Sequence, residues 1–123
     1  MIRVLLADQH PDIRLALAIL LGKEPGVAVI GSVSETEGLL ALTQTTQPDI
    51  IILDSRLPGI PTTDLLTTLH NHNQTLKILL LGDLSTSVIQ ADQISAIISK
   101  NDSPEIFLQK FRALAVRNSV SGK

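Results

Sequence analysis

The sequence has no cysteine, no tryptophan and no tyrosine; its only aromatic residues are Phe107 and Phe111, in a chain of 123 residues. Without thiols there is no disulfide, no cysteine-ligated zinc and no thiol nucleophile, a composition that fits a reducing compartment. With two rings at neighbouring positions, stacking along the bases of a nucleic-acid strand has nothing to work with. An excess of either charge is missing too, since 10 Lys+Arg stand against 12 Asp+Glu, a formal net charge of −2. No long basic run occurs, so the footprint of a direct nucleic-acid binder is absent. No apolar run approaches the ~18 residues that cross a bilayer, and the opening Met1-Ile2-Arg3-Val4, which is not a basic-plus-apolar leader pattern, gives no expectation of one. No Gly-x4-Gly-Lys-Ser/Thr loop occurs, which excludes a P-loop nucleotidase. The expectation is a cytoplasmic domain with neither membrane nor nucleic acid as a direct partner.

What is present is aliphatic. The chain is 44% hydrophobic, and at this length one domain buries about two-thirds of its unfolded surface. Short solid apolar runs stand at Val4–Leu6, Val27–Val33, Ile50–Leu53, Ile78–Leu81 and Ile94–Ile98. Runs of this kind, rich in Ile and Val, are strands buried on both faces. Helical patterns alternate with them. His10-Pro11 opens one, whose stripe Ile13, Leu17, Leu20 and Leu21 fits a single helix face, with Gly26 as its end. Ser34 and Glu37 have capping-box spacing before a helix to about Gln47, and Thr63 or Asp64 opens another through Asn71. Ser103-Pro104-Glu105 opens the last, with Phe107, Phe111 and Leu114 on one face. The alternation predicts an α/β three-layer, doubly wound five-stranded parallel sheet. Only Asp83–Gln93 separates the fourth and fifth strands, which leaves a shortened fourth helix. The domain is expected over 1–117, with 118–123 as a flexible tail or the start of a linker.

Polar residues gather where the strands end: Asp8-Gln9, Asp54, Gly82-Asp83 and Ser99-Lys100. In an open parallel sheet, ligands bind beyond the carboxyl ends of the strands. Any one of these charges by itself marks only where a strand leaves the core; their coincidence points to chemistry. An aspartate there is a nucleophile suited to a phosphoryl group. Bringing phosphoryl and carboxylate together needs a divalent cation and a lysine to neutralise the charge. Asp8 and Asp54 suit Mg²⁺, which takes oxygen ligands, and Lys100 suits Asp54 and the phosphoryl oxygens. His10, by contrast, reads as a helix-start residue, because His70 and His72 lie at the end of a different helix.

The segments Ile2-Arg3-Val4-Leu5-Leu6-Ala7-Asp8-Gln9-His10-Pro11, Pro48-Asp49-Ile50-Ile51-Ile52-Leu53-Asp54-Ser55-Arg56-Leu57-Pro58-Gly59 and Ser99-Lys100-Asn101-Asp102-Ser103-Pro104 resemble the receiver domain of two-component response regulators, a CheY-like superfamily. The likeness is closest to the LuxR-type NarL/FixJ branch and covers about Ile2 to Arg117. It implies a flavodoxin-like strand order of 2-1-3-4-5. It also implies Asp54 as phosphoacceptor; Asp8, Asp54 and the backbone carbonyl of Arg56 as Mg²⁺ ligands; and Lys100 as the phosphoryl-contacting lysine.

The sequence departs from the pattern in specific places. Gln9 stands where the family has its second metal-binding acid, so that ligand is weakened or lost. Gly82 replaces the hydroxyl residue at the end of the fourth strand, and Ile97 replaces the switch aromatic of the fifth. Thr62 stands where a loop glycine is usual. Asp83 adds a carboxylate that either pairs with Lys100 or faces water. Two readings follow. One is a phosphorelay receiver that accepts phosphate at Asp54 with impaired or atypical switching. The other is a phosphorylation-independent pseudo-receiver, a protein–protein interaction module. A flavin-binding protein of similar topology is disfavoured, since the Ser/Thr-rich phosphate loop and the sandwiching aromatics are missing. As a receiver the chain is not an enzyme beyond self-phosphorylation from a phosphohistidine or a small phosphodonor. The resemblance implies a histidine kinase or phosphotransfer protein as partner, and a homodimer through the first and last helices using Leu15, Ile19 and Leu108. It also implies a C-terminal DNA-binding output domain beyond this stretch of sequence, or a stand-alone receiver.

Overall fold

Alternate residues of the apolar runs face opposite sides of one sheet, and that period of two produces two cores. The structure is a computed structural model describing residues 1–82 and 93–121, with side chains described as far as residue 116. The strands are β1 (Ile2–Ala7), β2 (Val27–Val33), β3 (Ile50–Asp54), β4 (Lys77–Leu81) and β5 (Ala96–Ile98). All pairs are parallel, and the order is β2-β1-β3-β4-β5, as expected. The register sets Leu6 opposite Ile52, Ile52 opposite Leu79, and Leu81 opposite Ile98.

The described helices are α1 (Pro11–Gly22), α2 (Thr36–Thr46), α3 (Thr62–His72) and α4 (Pro104–Ser121). On one face Val4, Leu6, Ile50, Ile52, Leu79 and Leu81 pack with Leu17 and Leu21 of α1 and with Phe107, Phe111 and Leu114 of α4. The two rings stack with centroids 6.2 Å apart, so both aromatics of the chain are spent in this core. On the other face Leu5, Ala7, Ile51, Leu53, Ile78 and Leu80 pack with Leu39 of α2 and with Leu65, Leu66 and Leu69 of α3. β3, in the middle, is buried along its whole length.

Several local expectations are corrected. The cap of α2 is Glu35, not Ser34: its carboxylate accepts from the N–H groups of Glu37 and Gly38 at 2.9 and 2.7 Å, because an acid there also favours the positive end of the helix. α1 stops at Gly22 and not at Gly26, which instead turns the chain into β2 with φ +75°. β5 begins at Ala96, not Ile94. Ser95 makes the junction, its N–H donating to Ile78 O at 2.8 Å while its hydroxyl oxygen accepts from Ile78 N–H at 3.1 Å. α4 runs from Pro104 to Ser121. The shortened fourth helix falls in 83–92, outside the described residues.

Candidate functional site

The sheet order places the exits of β1, β3 and β4 next to one another, with β5 beside β4. Asp8 leaves β1 still tied to the sheet, its N–H donating to Val33 O at 3.1 Å. Asp54 is the last residue of β3. Both carboxylates are 1% exposed. Lys100, in the turn after β5, reaches back over them: its Nζ lies 3.3 Å from Asp8 Oδ2 and 3.2 Å from Asp54 Oδ1. One ammonium thus bridges two buried carboxylates, which is how desolvated acids of like charge are kept side by side. The compensation is incomplete by one charge. Among the described residues Asp8 Oδ2 has no hydrogen bond, since Lys100 approaches it off the hydrogen-bonding direction.

The first turn of α1 holds Asp8 from the other side. The backbone N–H of His10 donates to Asp8 Oδ1 at 2.8 Å, and His10 Nδ1 lies 3.0 Å from the same oxygen. Arg14 Nη1 donates to the Asp8 carbonyl at 2.6 Å. Asp54 closes its own turn: Oδ1 accepts from Arg56 N–H and the main-chain carbonyl accepts from Leu57 N–H, both at 3.1 Å. The loop that follows is fixed to α2. Thr36 N–H donates to Pro58 O at 2.9 Å, and Thr36 Oγ1 accepts from Ile60 N–H at 3.0 Å. Gly59 has φ +128°, and a Cβ there would overlap the Thr36 hydroxyl, so Gly59 is a steric requirement of this docking.

Gln9 does not take the position of an acid. Its Nε2 donates to Arg56 O at 3.2 Å and makes a long contact of 3.5 Å with Asp54 Oδ2. Both partners are pure acceptors, which fixes the amide with its nitrogen inward. Those two oxygens are among the Mg²⁺ ligands that the resemblance implies. The remaining donor set is suitable for a cation: Asp8, His10 and Asp54 each bring one ligand atom within 4.8 Å of the others. Carboxylate and carbonyl oxygens fit Mg²⁺, but the Gln9 amide must turn before Arg56 O is free. A cation in this acidic pocket would be held by the Asp8 and Asp54 carboxylates, with the Arg56 carbonyl once the Gln9 amide has turned away.

Gly82 directly follows β4 with φ +131°, its N–H donating to Ile98 O at 2.8 Å. A Cβ at Gly82 would overlap the hydroxyl oxygen of Ser55. Ile97 is half-buried and packs on the α2–α3 side of the sheet. Asp83 lies outside the described residues, and the Lys100 partners seen are Asp8 and Asp54. Thr62 Oγ1 donates to Ser55 O at 3.0 Å, which gives the unexpected threonine a structural task. A hollow of about 430 Å³ opens over the group, lined by Gln9, His10, Asp54, Ser55, Arg56, Gly82 and Lys100 among others. A larger hollow of about 630 Å³, beside Glu24, Gly26 and Phe111, lies away from this chemistry. Two residues of the site carry no role in the sequence reading: His10, read as a helix-start residue, and Ser55, which was passed over. A signal for the first was its spacing two residues after Asp8; for the second, a hydroxyl adjacent to the candidate nucleophile.

A doubly wound sheet with two buried aspartates and a lysine at its carboxyl edge defines a class of small signal-receiving domains. The chain belongs to the response regulator receiver domain family, which matches residues 4–110. It is 28% identical over 122 residues to the nitrate/nitrite response regulator protein NarP of Escherichia coli, covering 96% of this chain and 57% of that one. Among solved structures it is similar to a LuxR-family two-component response regulator from Aurantimonas, with TM-score 0.80 and 25% identity, covering 92% of this chain and 84% of that one. The signal receiver domain of the putative response regulator NarL from Mycobacterium tuberculosis superposes with TM-score 0.77 at 21% identity, covering 99% and 98%. The chain spans about half the length of the curated relatives it matches.

Proposed function

We propose that this receiver accepts a phosphoryl group on Asp54 and that its switching is atypical. The observation that carries the first half is the Lys100 ammonium held 3.2 Å from Asp54 Oδ1 and 3.3 Å from Asp8 Oδ2. A carboxylate oxygen of Asp54 attacks phosphorus, the bond from phosphorus to its leaving group breaks, and Lys100 meets the charge on the phosphoryl oxygens. A bound Mg²⁺ supplies further neutralisation, and its affinity is weak because Gln9 brings no charge. The donor is a phosphohistidine of a kinase or phosphotransfer protein, since receivers of this family work with histidine kinases. The place of action is the cytoplasm. The receiver unit is taken as residues 1–117.

The second half rests on Gly82 and Ile97. An aliphatic side chain packed on the core has no ring to reorient. The same two positions support the alternative, a receiver that binds partners without phosphorylation. A homodimer over α1 and α4 is proposed on Leu15 and Ile19, one helical turn apart and 63% and 54% exposed. Leu108 contributes less, as it packs partly against the core. One relative is the DNA-binding transcriptional activator DevR/DosR of Mycobacterium tuberculosis, so an output domain of that type is the proposed continuation.

Incubation with acetyl phosphate and Mg²⁺, read by intact mass, tests the reading. The expected result is one added phosphoryl group on the natural sequence and none on Asp54→Asn. No adduct from acetyl phosphate or from a phosphohistidine donor overturns it in favour of the phosphorylation-independent module.

A further inference from the structure

The glycine at the end of β4 and the serine after Asp54 are a matched pair. Ser55 is held by both of its main-chain polar groups: its N–H donates to Leu81 O at 2.8 Å and its carbonyl accepts from Thr62 Oγ1 at 3.0 Å. Its side chain therefore has a fixed origin between the ends of β3 and β4. From there the hydroxyl oxygen occupies the space that a Cβ on Gly82 would need. Gly82 itself adopts φ +131°, a conformation that side-chain-bearing residues rarely take. Both residues line the same hollow as Asp54 and Lys100. A hydroxyl is thus present where a Cβ of residue 82 would stand, carried by the residue that follows β3.

We infer that Ser55 supplies the phosphoryl-contacting hydroxyl of this site, from the β3 side, in place of the group absent at Gly82. The inference rests on Asp54 being the phosphoacceptor. During transfer a carboxylate oxygen of Asp54 forms the bond to phosphorus while the bond from phosphorus to the acetate oxygen breaks and acetate leaves. Ser55 keeps its proton and donates it as a hydrogen bond to one phosphoryl oxygen, and Lys100 takes another. A hydrogen bond to a charged group inside a partly desolvated pocket is stronger than one between neutral partners. Because Ser55 directly follows Asp54, its movement on phosphorylation is short. It is passed to the chain through Thr62 at the start of α3 rather than through β4.

The test compares the natural sequence, Ser55→Ala, Ser55→Thr and Asp54→Asn with acetyl phosphate and Mg²⁺, following by intact mass both the rate of adduct formation and its loss. Hydroxylamine, which cleaves an acyl phosphate and spares a phosphoserine, identifies the linkage. The expected result is a hydroxylamine-labile adduct that forms about tenfold more slowly in Ser55→Ala, with Ser55→Thr close to the natural rate. Recovery by threonine separates the hydroxyl from a packing effect. Equal rates in the natural sequence and Ser55→Ala overturn this inference alone. A hydroxylamine-stable adduct overturns it too, by making Ser55 the acceptor. Absence of any adduct on the natural sequence overturns the phosphoacceptor reading and this one with it.

Discussion

The Gln9 side-chain nitrogen donates a hydrogen bond to the Arg56 carbonyl at 3.2 Å. The two residues hold each other in a position where a cation would otherwise be shared between them. An amide nitrogen cannot ligate a metal, so each binding event must first break this contact and turn the side chain. Replacing Gln9 by aspartate removes the obstructing N–H groups and adds a carboxylate beside Asp8 and Asp54. Gln9→Asp is expected to tighten Mg²⁺ binding by about tenfold or more, since affinity for hard cations follows ligand charge. Titration calorimetry of the two proteins measures this, and unchanged affinity would show that Gln9 does not control the site.

Gly82 and Ser55 make a second, purely steric prediction. Gly82→Ser places a Cβ against the Ser55 hydroxyl and forces an L-residue into a positive φ. The expected loss is about 2 kcal/mol or more. Adding Ser55→Gly removes the overlap but not the backbone strain, so the double variant recovers part of the loss. Denaturant unfolding of the two single variants and the double variant gives the coupling. Additive losses would mean the two side chains do not compete for the same space.

The sheet was legible because its strands are solid aliphatic runs and its site residues sit where those runs stop. Val4, Ile52 and Leu80 declare buried strands by composition alone, and Asp8, Asp54 and Lys100 follow from position. What stayed hidden depends on side-chain direction. Ser34, three residues before Glu37, reads as the cap in the sequence, yet the chain enters the helix with Glu35 in that place. Gly82 reads as a loss in the sequence, whereas the structure shows the Ser55 hydroxyl where a Cβ of residue 82 would stand. That neighbour relation links residues far apart in the chain through the register of β3 with β4, and no local pattern encodes it. His10 was set aside for want of a second histidine, yet its partner is the Asp8 carboxylate.

At the opposite end of the sheet Arg112 clamps Glu24 with two hydrogen bonds of 2.8 and 2.9 Å, tying α4 to the turn after α1. The guanidinium bond holds the Glu24 carboxyl below its ordinary value of 4.5. A depressed folded value means that the unfolded chain takes up the proton first on acidification. The contribution of this pair is therefore present above the ordinary glutamate range. It is lost as the pH falls from near 4.5 through the lower folded value. Glu24→Gln is expected to show a shallower loss of stability over that window than the natural sequence, and both profiles should converge below it. Thermal melts across the acid range measure the difference. It should be small, because Arg112 is exposed and the pair is partly screened, and smaller still in high salt.

The two buried aspartates and their single lysine lead to a pair of opposite stability effects. Asp8 and Asp54 are each 1% exposed, and Lys100 is the ammonium in contact with both. Lys100→Met leaves two desolvated carboxylates facing each other and is expected to destabilise the fold by about 1–2 kcal/mol. That is less than a fully buried pair would give, because the lysine side chain is 32% exposed. Asp54→Asn removes one of the two negative charges while keeping shape and an acceptor oxygen. It is expected to stabilise the fold by about 1 kcal/mol, as relief of like-charge repulsion at a functional site commonly does. Combining the two leaves Asp8 alone without its ammonium, so the double variant should fall between the single ones. Urea unfolding midpoints measure all three. Destabilisation by Asp54→Asn would show that the lysine contact outweighs the repulsion, and the site would then be a structural ion-pair network rather than one held under electrostatic strain for phosphoryl transfer.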